Sequence, residues 1–257
     1  MKEDNKINEL VKTAVNDIFQ LARNNAKDND FILFLSQCSY RKLSITAKNK
    51  SYLLSDQIDF LYNRDKIDLR HTYLQNFELV NTEEENNIKK VLIDIELMIY
   101  THLWESDFHI KFLKQLTNLI RKKEFDWINK VGYNRQKYCR DEIIDRLKKE
   151  SNNIKEVFDI IYNSQFRDAF AHSQYRILNE EIEFLNYEGK SYQKETILIS
   201  DWKLIFLTTN VFFDMILERF EYNQEQTLGN EFQICYPDGI KQTIKYCELT
   251  GRFRPIN

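Results

Sequence analysis

The feature that most constrains the fold is a scarcity of glycine and proline, with 5 and 2 copies among 257 residues. Folds built from many short strands need glycine, proline and Asn-Gly turns every few residues, whereas long helices need few of them. Collagen-like and low-complexity chains need still more of both residue types. With 42% hydrophobic and 14% aromatic residues, the composition also differs from that of disordered chains. The sequence therefore predicts a mainly α fold with a sizeable core.

Apolar residues recur at helical spacing in several long stretches, which predict amphipathic helices. These helices are expected over about residues 5–25, 84–104, 107–120, 134–150, 151–161 and beyond, and 202–222. Hydroxyl and carboxylate side chains stand where N-caps are expected, at Ser106 or Asp107, at Ser151, and at Ser200 or Asp201.

Other stretches are less regular. Short helical pieces are expected near 55–63 and 66–79, and the apolar run from Phe31 to Cys38 fits a helix or a strand equally well. Residues 177–199 lose helical spacing and predict a small β insertion. After Gly229, apolar alternation on both sides of the sequence PDG predicts a C-terminal β-hairpin, because proline presets one turn dihedral and glycine accepts a positive φ.

No linker long enough to separate domains interrupts the chain. We therefore expect a single domain over 1–257, made of an N-terminal helical region (1–82), a helical core (84–222) and the hairpin (228–250).

Charge and cysteine spacing exclude several classes of protein. The net charge of -3 rules out a global basic field for nucleic acid or anionic membrane, although 37 Lys and Arg residues leave room for local patches. The four cysteines are far apart and form no CxxC pair, which argues against zinc fingers and disulfide scaffolds. The charged start has no apolar signal region, and no apolar run approaches the roughly 18 residues of a membrane span. We therefore expect a cytoplasmic protein with no membrane partner.

One segment, NSQFRDAFAHSQY, combines Arg167, Asp168 and His172. Four residues separate the arginine from the histidine, and three of them form the small apolar triplet Ala169-Phe170-Ala171. The segment resembles the R-x4-6-H motif of HEPN (higher eukaryotes and prokaryotes nucleotide-binding) domains, in which the residue after arginine is usually Asn, Asp or His. The resemblance implies a HEPN-like helical bundle with a small β insertion and a C-terminal β-hairpin. The resemblance in helical architecture extends over 84–222, whereas the resemblance in sequence motif is limited to about ten residues.

The HEPN resemblance implies a metal-independent endoribonuclease that binds RNA and needs no cofactor. In its family, cleavage yields a 2′,3′-cyclic phosphate and a 5′-hydroxyl. His172 is then the general acid/base, Arg167 the phosphate clamp and Asp168 an orienting residue, in line with the chemistry of imidazole and guanidinium groups. Substrate binding is assigned to the residues that follow the motif, which are Ser173, Gln174, Tyr175 and Arg176.

The resemblance also implies a homodimer in which the motifs of two protomers meet in one cleft, a role as a toxin or anti-phage effector, and an antitoxin or regulatory partner. One toxin branch continues the motif as His-x-Tyr, with a modified tyrosine. Tyr175 lies one residue further along, so this regulation is not carried over. On an ideal helix Arg167 and His172 lie about 140° apart, so a shared face requires a helix end, a bend or a two-fold axis at that point.

Alternatives remain open beside this hypothesis. Arg64 and His71 also satisfy R-x6-H, and His102 and His109 could bind a metal. We interpret the basic run 121–123 as a solvated helix end, and a contact with phosphate is the alternative. We interpret the aromatic stripe of 202–220 as part of the core rather than as a surface on which bases stack. A non-catalytic HEPN-like module, in which Arg167 pairs with an acid and the motif is structural, is the second hypothesis for function.

Overall fold

The computed structural model describes residues 2–40, 52–53, 86–178 and 180–256. This part of the chain is mostly helical, which confirms the predicted mainly α class. A π-helical stretch, Cys139–Ile144, joins the short helices Arg135–Tyr138 and Asp145–Leu147. The helices are α1 (Lys2–Asn25), α2 (Asp30–Leu35), α3 (Asn86–Glu105), α4 (Asp107–Ile120), α5 (Arg135–Tyr138), α6 (Asp145–Leu147), α7 (Asn152–Ile161), α8 (Ser164–Ala171) and α9 (Ile199–Glu225).

The strands form small antiparallel sheets in which chain neighbours pair. They are β1 (Ser39–Tyr40) and β2 (Tyr52–Leu53), then β3 (Tyr175–Ile177), β4 (Glu181–Phe184) and β5 (Thr196–Leu198), and finally β6 (Glu231–Cys235), β7 (Lys241–Cys247) and β8 (Arg252–Pro255). The predicted β insertion is confirmed. The predicted hairpin is also confirmed, with Gly239 at φ +81° in its turn, but β8 adds a third strand that the sequence did not predict.

The core is assembled around the two longest helices. α1 packs against α4, α7 and α9, and its predicted apolar stripe is buried from Val11 to Ala22. The aromatic stripe of α9 is also buried, which confirms its interpretation as core. Phe34, Phe112 and Phe220 meet edge to face with ring centroids 5.1–5.2 Å apart, an arrangement that joins α2, α4 and α9.

Helix starts agree with the sequence in part. Ser151 caps α7 as predicted, because its hydroxyl accepts a hydrogen bond from the backbone N–H of Ile154 at 3.2 Å. The prediction that Ser200 or Asp201 caps α9 is wrong, since the helix begins at Ile199. β5 leads directly into α9, and the Ile199 N–H donates to the carbonyl of Glu180, the residue before β4, at 2.9 Å, so a backbone carbonyl rather than a side chain accepts this first N–H of the helix.

Three further expectations have definite outcomes. The ambiguous run from Phe31 to Cys38 begins as helix α2. The helix expected over 134–150 contains the π-helical stretch and ends at Leu147. The pieces expected near 55–63 and 66–79, together with Arg64 and His71, lie outside the described residues.

In the part of the chain that the structure describes, no helix is long and apolar enough to span a membrane.

Candidate active site

The R-x4-H segment lies on α8, a short helix separated from α7 by a two-residue break. Tyr162 and Asn163 are extended there, and the Asn163 side chain caps α8 by accepting a hydrogen bond from the Gln165 N–H at 2.9 Å. The buried Tyr100 hydroxyl stabilises the break, because it donates to the Ile161 carbonyl at 3.0 Å and accepts from the Asn163 N–H at 3.0 Å. The backbone groups freed by the break are therefore satisfied inside the core.

One face of α8 is buried and fixes the helix in place. Phe166 stacks on Phe184 of β4 with ring centroids 4.9 Å apart and meets the Trp202 indole edge to face. Ala169 is fully buried where α8 packs along α3. The small apolar triplet of the motif thus contributes a packing residue, and its neighbours Arg167 and Asp168 lie on the partly exposed side.

Arg167 is held by carboxylates. Its guanidinium forms ion pairs with Glu105 at the end of α3 and with Asp168, the latter at 2.8 Å. Asp168 also accepts a hydrogen bond from the side chain of Gln136 on α5. The arginine side chain is 21% exposed, and its Nε is buried with no hydrogen-bond partner among the described residues. Its positive charge is therefore compensated from both sides within the fold.

His172 has a different environment. It is the exposed C-cap residue of α8, and its backbone N–H donates to the Asp168 carbonyl at 3.1 Å. The N–H groups of Ser173 and Gln174 bind the carbonyls of Phe170 and Ala169 at 3.1 and 2.7 Å, which is the Schellman pattern of helix termination. Ser173 adopts φ +52°, a position that glycine usually takes.

The helix therefore ends at His172, and a helix end at this point is one of the conditions under which Arg167 and His172 could share a face. Nevertheless, among the described residues no contact joins the side chains of Arg167 and His172, because Arg167 is directed toward Glu105 and Gln136. The structure brings Arg167 and Asp168 together and leaves His172 separately accessible to solvent.

The four predicted substrate-binding residues lie where α8 passes into β3. Ser173 and Gln174 are exposed, and the Gln174 carbonyl accepts from the Leu185 N–H at 2.9 Å. Arg176 is exposed and forms a long ion pair with Glu183 at 3.7 Å. The Tyr175 hydroxyl donates to Asp94 at 2.6 Å, and burial together with this hydrogen bond raises the pKa of the tyrosine. Tyr175 is thus engaged with α3.

The competing sites are less well formed. His109 is buried with its ring 4.5 Å from the Phe213 ring, whereas His102 is exposed on α3. Within residues 2–40, 52–53, 86–178 and 180–256, no cluster of three or more metal-binding side chains occurs. The basic run 121–123 follows the end of α4 directly, as a solvated helix C-terminus does.

Sequence reasoning missed Glu105 and Gln136, the two side chains that complete the Arg167 cluster. Both belong to other helices, and no spacing rule connects them to the motif. Comparison with protein-family models, curated proteins and solved structures gave no match to this chain.

Proposed function

We propose that this chain is a metal-independent endoribonuclease of the HEPN type, acting as a toxin or anti-phage effector. The observation that carries the proposal is the position of His172, an exposed imidazole at the end of α8, one turn after the Arg167–Asp168 pair. Histidine changes its protonation near neutral pH, so an accessible imidazole suits proton transfer from a ribose 2′-hydroxyl.

In the proposed reaction, His172 accepts the proton of the 2′-hydroxyl as the 2′-oxygen attacks the adjacent phosphorus. The bond from phosphorus to the 5′-oxygen breaks, and that oxygen takes a proton from the imidazolium or from solvent. The products are a 2′,3′-cyclic phosphate and a 5′-hydroxyl, and the atoms balance without a metal ion or a redox step.

Arg167 is the proposed contact for the phosphate. Guanidinium groups bind phosphate oxygens bidentately, and a fixed cation lowers the energy of charge that builds on them. Because Glu105 and Asp168 already hold this guanidinium, RNA must replace at least one carboxylate before Arg167 can bind a phosphate. Asp168, also bound by Gln136, is the group that keeps the guanidinium oriented during this exchange.

A second candidate is favoured by the same ion pairs. If Arg167 remains bound to Glu105 and Asp168, the motif is structural, and the chain is a non-catalytic HEPN-like module that binds RNA or protein, for instance as a homodimer. The two candidates differ in what His172 does. In the module it is a surface residue with no chemical role.

The deciding experiment replaces His172 by alanine and compares it with His102→Ala, a second exposed histidine on α3. We expect His172→Ala to lower the rate of RNA cleavage by about 10²–10⁴-fold, the usual contribution of general acid–base catalysis, and to relieve growth inhibition in cells. The His102 variant should retain the wild-type rate. Equal cleavage by the wild type and both variants would overturn the role of His172, and absence of cleavage by the purified wild type would support the non-catalytic module.

A further inference from the structure

The C-terminal sheet of β6, β7 and β8 has one face against the helices and one face toward solvent. Successive residues of a strand point to opposite faces, and the buried residues of the inner face include Ile234, Ile244 and Phe253. Residues that lie directly opposite each other on paired strands share a face. The outer face therefore consists of Glu231, Gln233, Cys235, Lys241, Thr243, Lys245, Cys247, Arg252 and Arg254.

Four of these outer residues are cations, although the whole chain has a net charge of -3. Lys241 and Arg254 are exposed, and Lys245 and Arg252 are half-buried. None of the four forms an ion pair or a side-chain hydrogen bond with a residue that the structure describes. Glu231 is the one carboxylate among the outer residues of these strands. We call the four cations the basic sheet face.

The strand register brings two like charges together on this face. Lys245 lies directly opposite Arg254, and side chains in such pairs have Cβ atoms about 4.5–5.5 Å apart. Like charges directly opposite each other destabilise a sheet. Glu231 lies opposite Lys245 on its other side, but no ion pair joins the two. A bound polyanion removes this repulsion, so the arrangement that costs free energy in the isolated chain favours binding.

The end of β7 also favours negative charge. The pKa of the Cys247 thiol is lowered, first by a hydrogen bond from Thr250 and further by the charge of Arg254. The carboxylates nearest in sequence, Asp238 and Glu248, lie in the turns before and after β7 rather than on its outer face. The four cations are therefore not neutralised by the carboxylates of this segment.

The spacing of the polar groups suits an extended chain of phosphates. Lys245 and Arg254 lie on neighbouring strands, which are about 4.8 Å apart, and Arg252 is two residues from Arg254, a separation of about 6.7 Å. Gln233 and Thr243, opposite each other on the same face, can donate hydrogen bonds between the cations. The outer face has no aromatic side chain on which bases could stack. Its contacts are therefore to a nucleic-acid backbone rather than to the bases.

An anionic membrane is the competing partner for a basic surface. Binding at a membrane interface depends on the apolar area that becomes buried as well as on charge. The outer residues of the three strands include no large apolar side chain. Leu249 is exposed, but it lies in the turn after β7, and one leucine offers little apolar area. The observations therefore favour a nucleic acid.

The basic sheet face lies far from the R-x4-H segment. Trp202, near the start of α9, meets Phe166 of α8 with ring centroids 6.0 Å apart. Burial and then the charge of Glu225, at the other end of α9, raise the pKa of Tyr246 on the inner side of β7. About 35 Å of helix separates these two contacts. An RNA must therefore be many nucleotides long to reach both places.

We propose that the basic sheet face is a sequence-independent binding surface for the phosphate backbone of single-stranded RNA. The choice of RNA rests on the proposed ribonuclease function, whereas the charges and the register do not depend on it. The face raises the affinity of the protein for long RNA, and Arg167 and His172 act on the bond that is cleaved.

The test is the fluorescence anisotropy of a labelled RNA of about 20 nucleotides whose 2′-hydroxyls are all methylated. This RNA keeps its phosphates but lacks the attacking hydroxyl, so binding is measured without cleavage. We expect the double variant Lys245→Gln with Arg254→Gln to bind about tenfold more weakly than the wild type. The slope of log Kd against log salt should fall by about 1.4, since each phosphate contact of a single strand contributes about 0.7. Oligomers of adenosine and of uridine should bind alike.

Two double variants are the controls. Lys12→Gln with Lys155→Gln removes the same charge from α1 and α7, where each lysine has a carboxylate partner, and should bind as the wild type does. Lys245→Arg with Arg254→Lys keeps the charge of the face and should also bind as the wild type does. Its retained affinity would show that the loss in the glutamine variant comes from charge and not from misfolding.

Cleavage is measured separately on unmodified RNA, so that the two proposals can fail independently. Binding that the glutamine variant weakens, without any cleavage by the wild type, would retain the basic sheet face and contradict the ribonuclease. Absence of RNA binding by the wild type, or equal binding by the wild type and the glutamine variant, would overturn the basic sheet face. Vesicles of phosphatidylserine and phosphatidylcholine that bind the wild type but not the glutamine variant, with RNA binding unchanged, would assign the face to a membrane instead.

Discussion

The α8 segment and the loop of residues 125–130 both place polar side chains against an aromatic core, yet they satisfy those groups differently. On α8 the guanidinium of Arg167 has two carboxylates, and Asp168 has a further amide donor. In the loop, Asp126 is equally well bound, but Asn129, three residues later, keeps a buried oxygen without a partner among the described residues. Arg167 also has one buried atom without a partner, its Nε, but a phosphate must still displace a carboxylate from the guanidinium, whereas the neutral Asn129 oxygen has no partner to displace.

The same contrast separates the two ends of α8. Arg167 contributes to stability through its ion pairs, and His172 contributes little because it is exposed. The proposed catalytic role therefore rests on the residue that the fold needs least, as expected where function uses groups that packing leaves accessible.

The largest effect on stability is expected for Arg167→Ala, which strands two carboxylates. We expect the free energy of unfolding to fall by about 1–2 kcal/mol, less than for a fully buried pair because water reaches part of the cluster. Arg176→Ala is the matched control, since that exposed arginine has one long ion pair, and it should cost no more than about 0.5 kcal/mol. Urea unfolding measures both. Equal losses in the two variants would mean that the Arg167 pairs contribute nothing specific.

A comparable but pH-dependent effect is expected in the loop for Asp126→Asn. Burial acts to raise the pKa of Asp126, but hydrogen bonds from Lys114 and from the Asn129 N–H outweigh it and hold the pKa below its usual range. The stabilisation is thus present above the unfolded pKa of about 3.9 and is lost as the pH falls through the folded pKa.

The difference in unfolding free energy between wild type and Asp126→Asn should be about 1 kcal/mol at pH 7 and should shrink toward pH 2. Urea unfolding across this pH range measures it. Asp107→Asn, at an exposed ion pair, should show a smaller difference throughout. A difference for Asp126→Asn that grows on acidification would contradict the account of this loop.

The smallest effect is expected where α8 ends. Ser173→Gly should raise the free energy of unfolding by about 0.5 kcal/mol, because glycine avoids the steric cost that serine bears in the left-handed conformation but loses more backbone entropy on folding. Lys122→Gly offers a parallel case, as the end of α4 has the same hydrogen-bond pattern with Lys122 at φ +59°. Thermal unfolding of both variants checks this, and destabilisation by both would refute the strain argument.

The elements that were predicted correctly from the sequence are those whose signal lies in consecutive residues. Apolar spacing identified α1 and α3, and the Pro237-Asp238-Gly239 turn identified the hairpin, because each signal lies within one element. The residues flanking the candidate site depend on tertiary contacts instead. Nothing in the sequence connects Glu105 or Gln136 with Arg167, and the end of α8 lacks the glycine that normally signals such a stop.

The basic sheet face was missed for a similar reason. The sequence predicted the hairpin of β6 and β7 but not β8, and only the pairing of β8 with β7 places Arg254 opposite Lys245.

The most direct test of the central claim is incubation of the purified wild-type chain and His172→Ala with total RNA in a metal chelator, followed by mapping of the RNA ends. We expect the wild type to produce 2′,3′-cyclic phosphate and 5′-hydroxyl ends in chelator, and His172→Ala to produce neither. Intact RNA with the wild type, or the same ends at the same rate with His172→Ala, would contradict it.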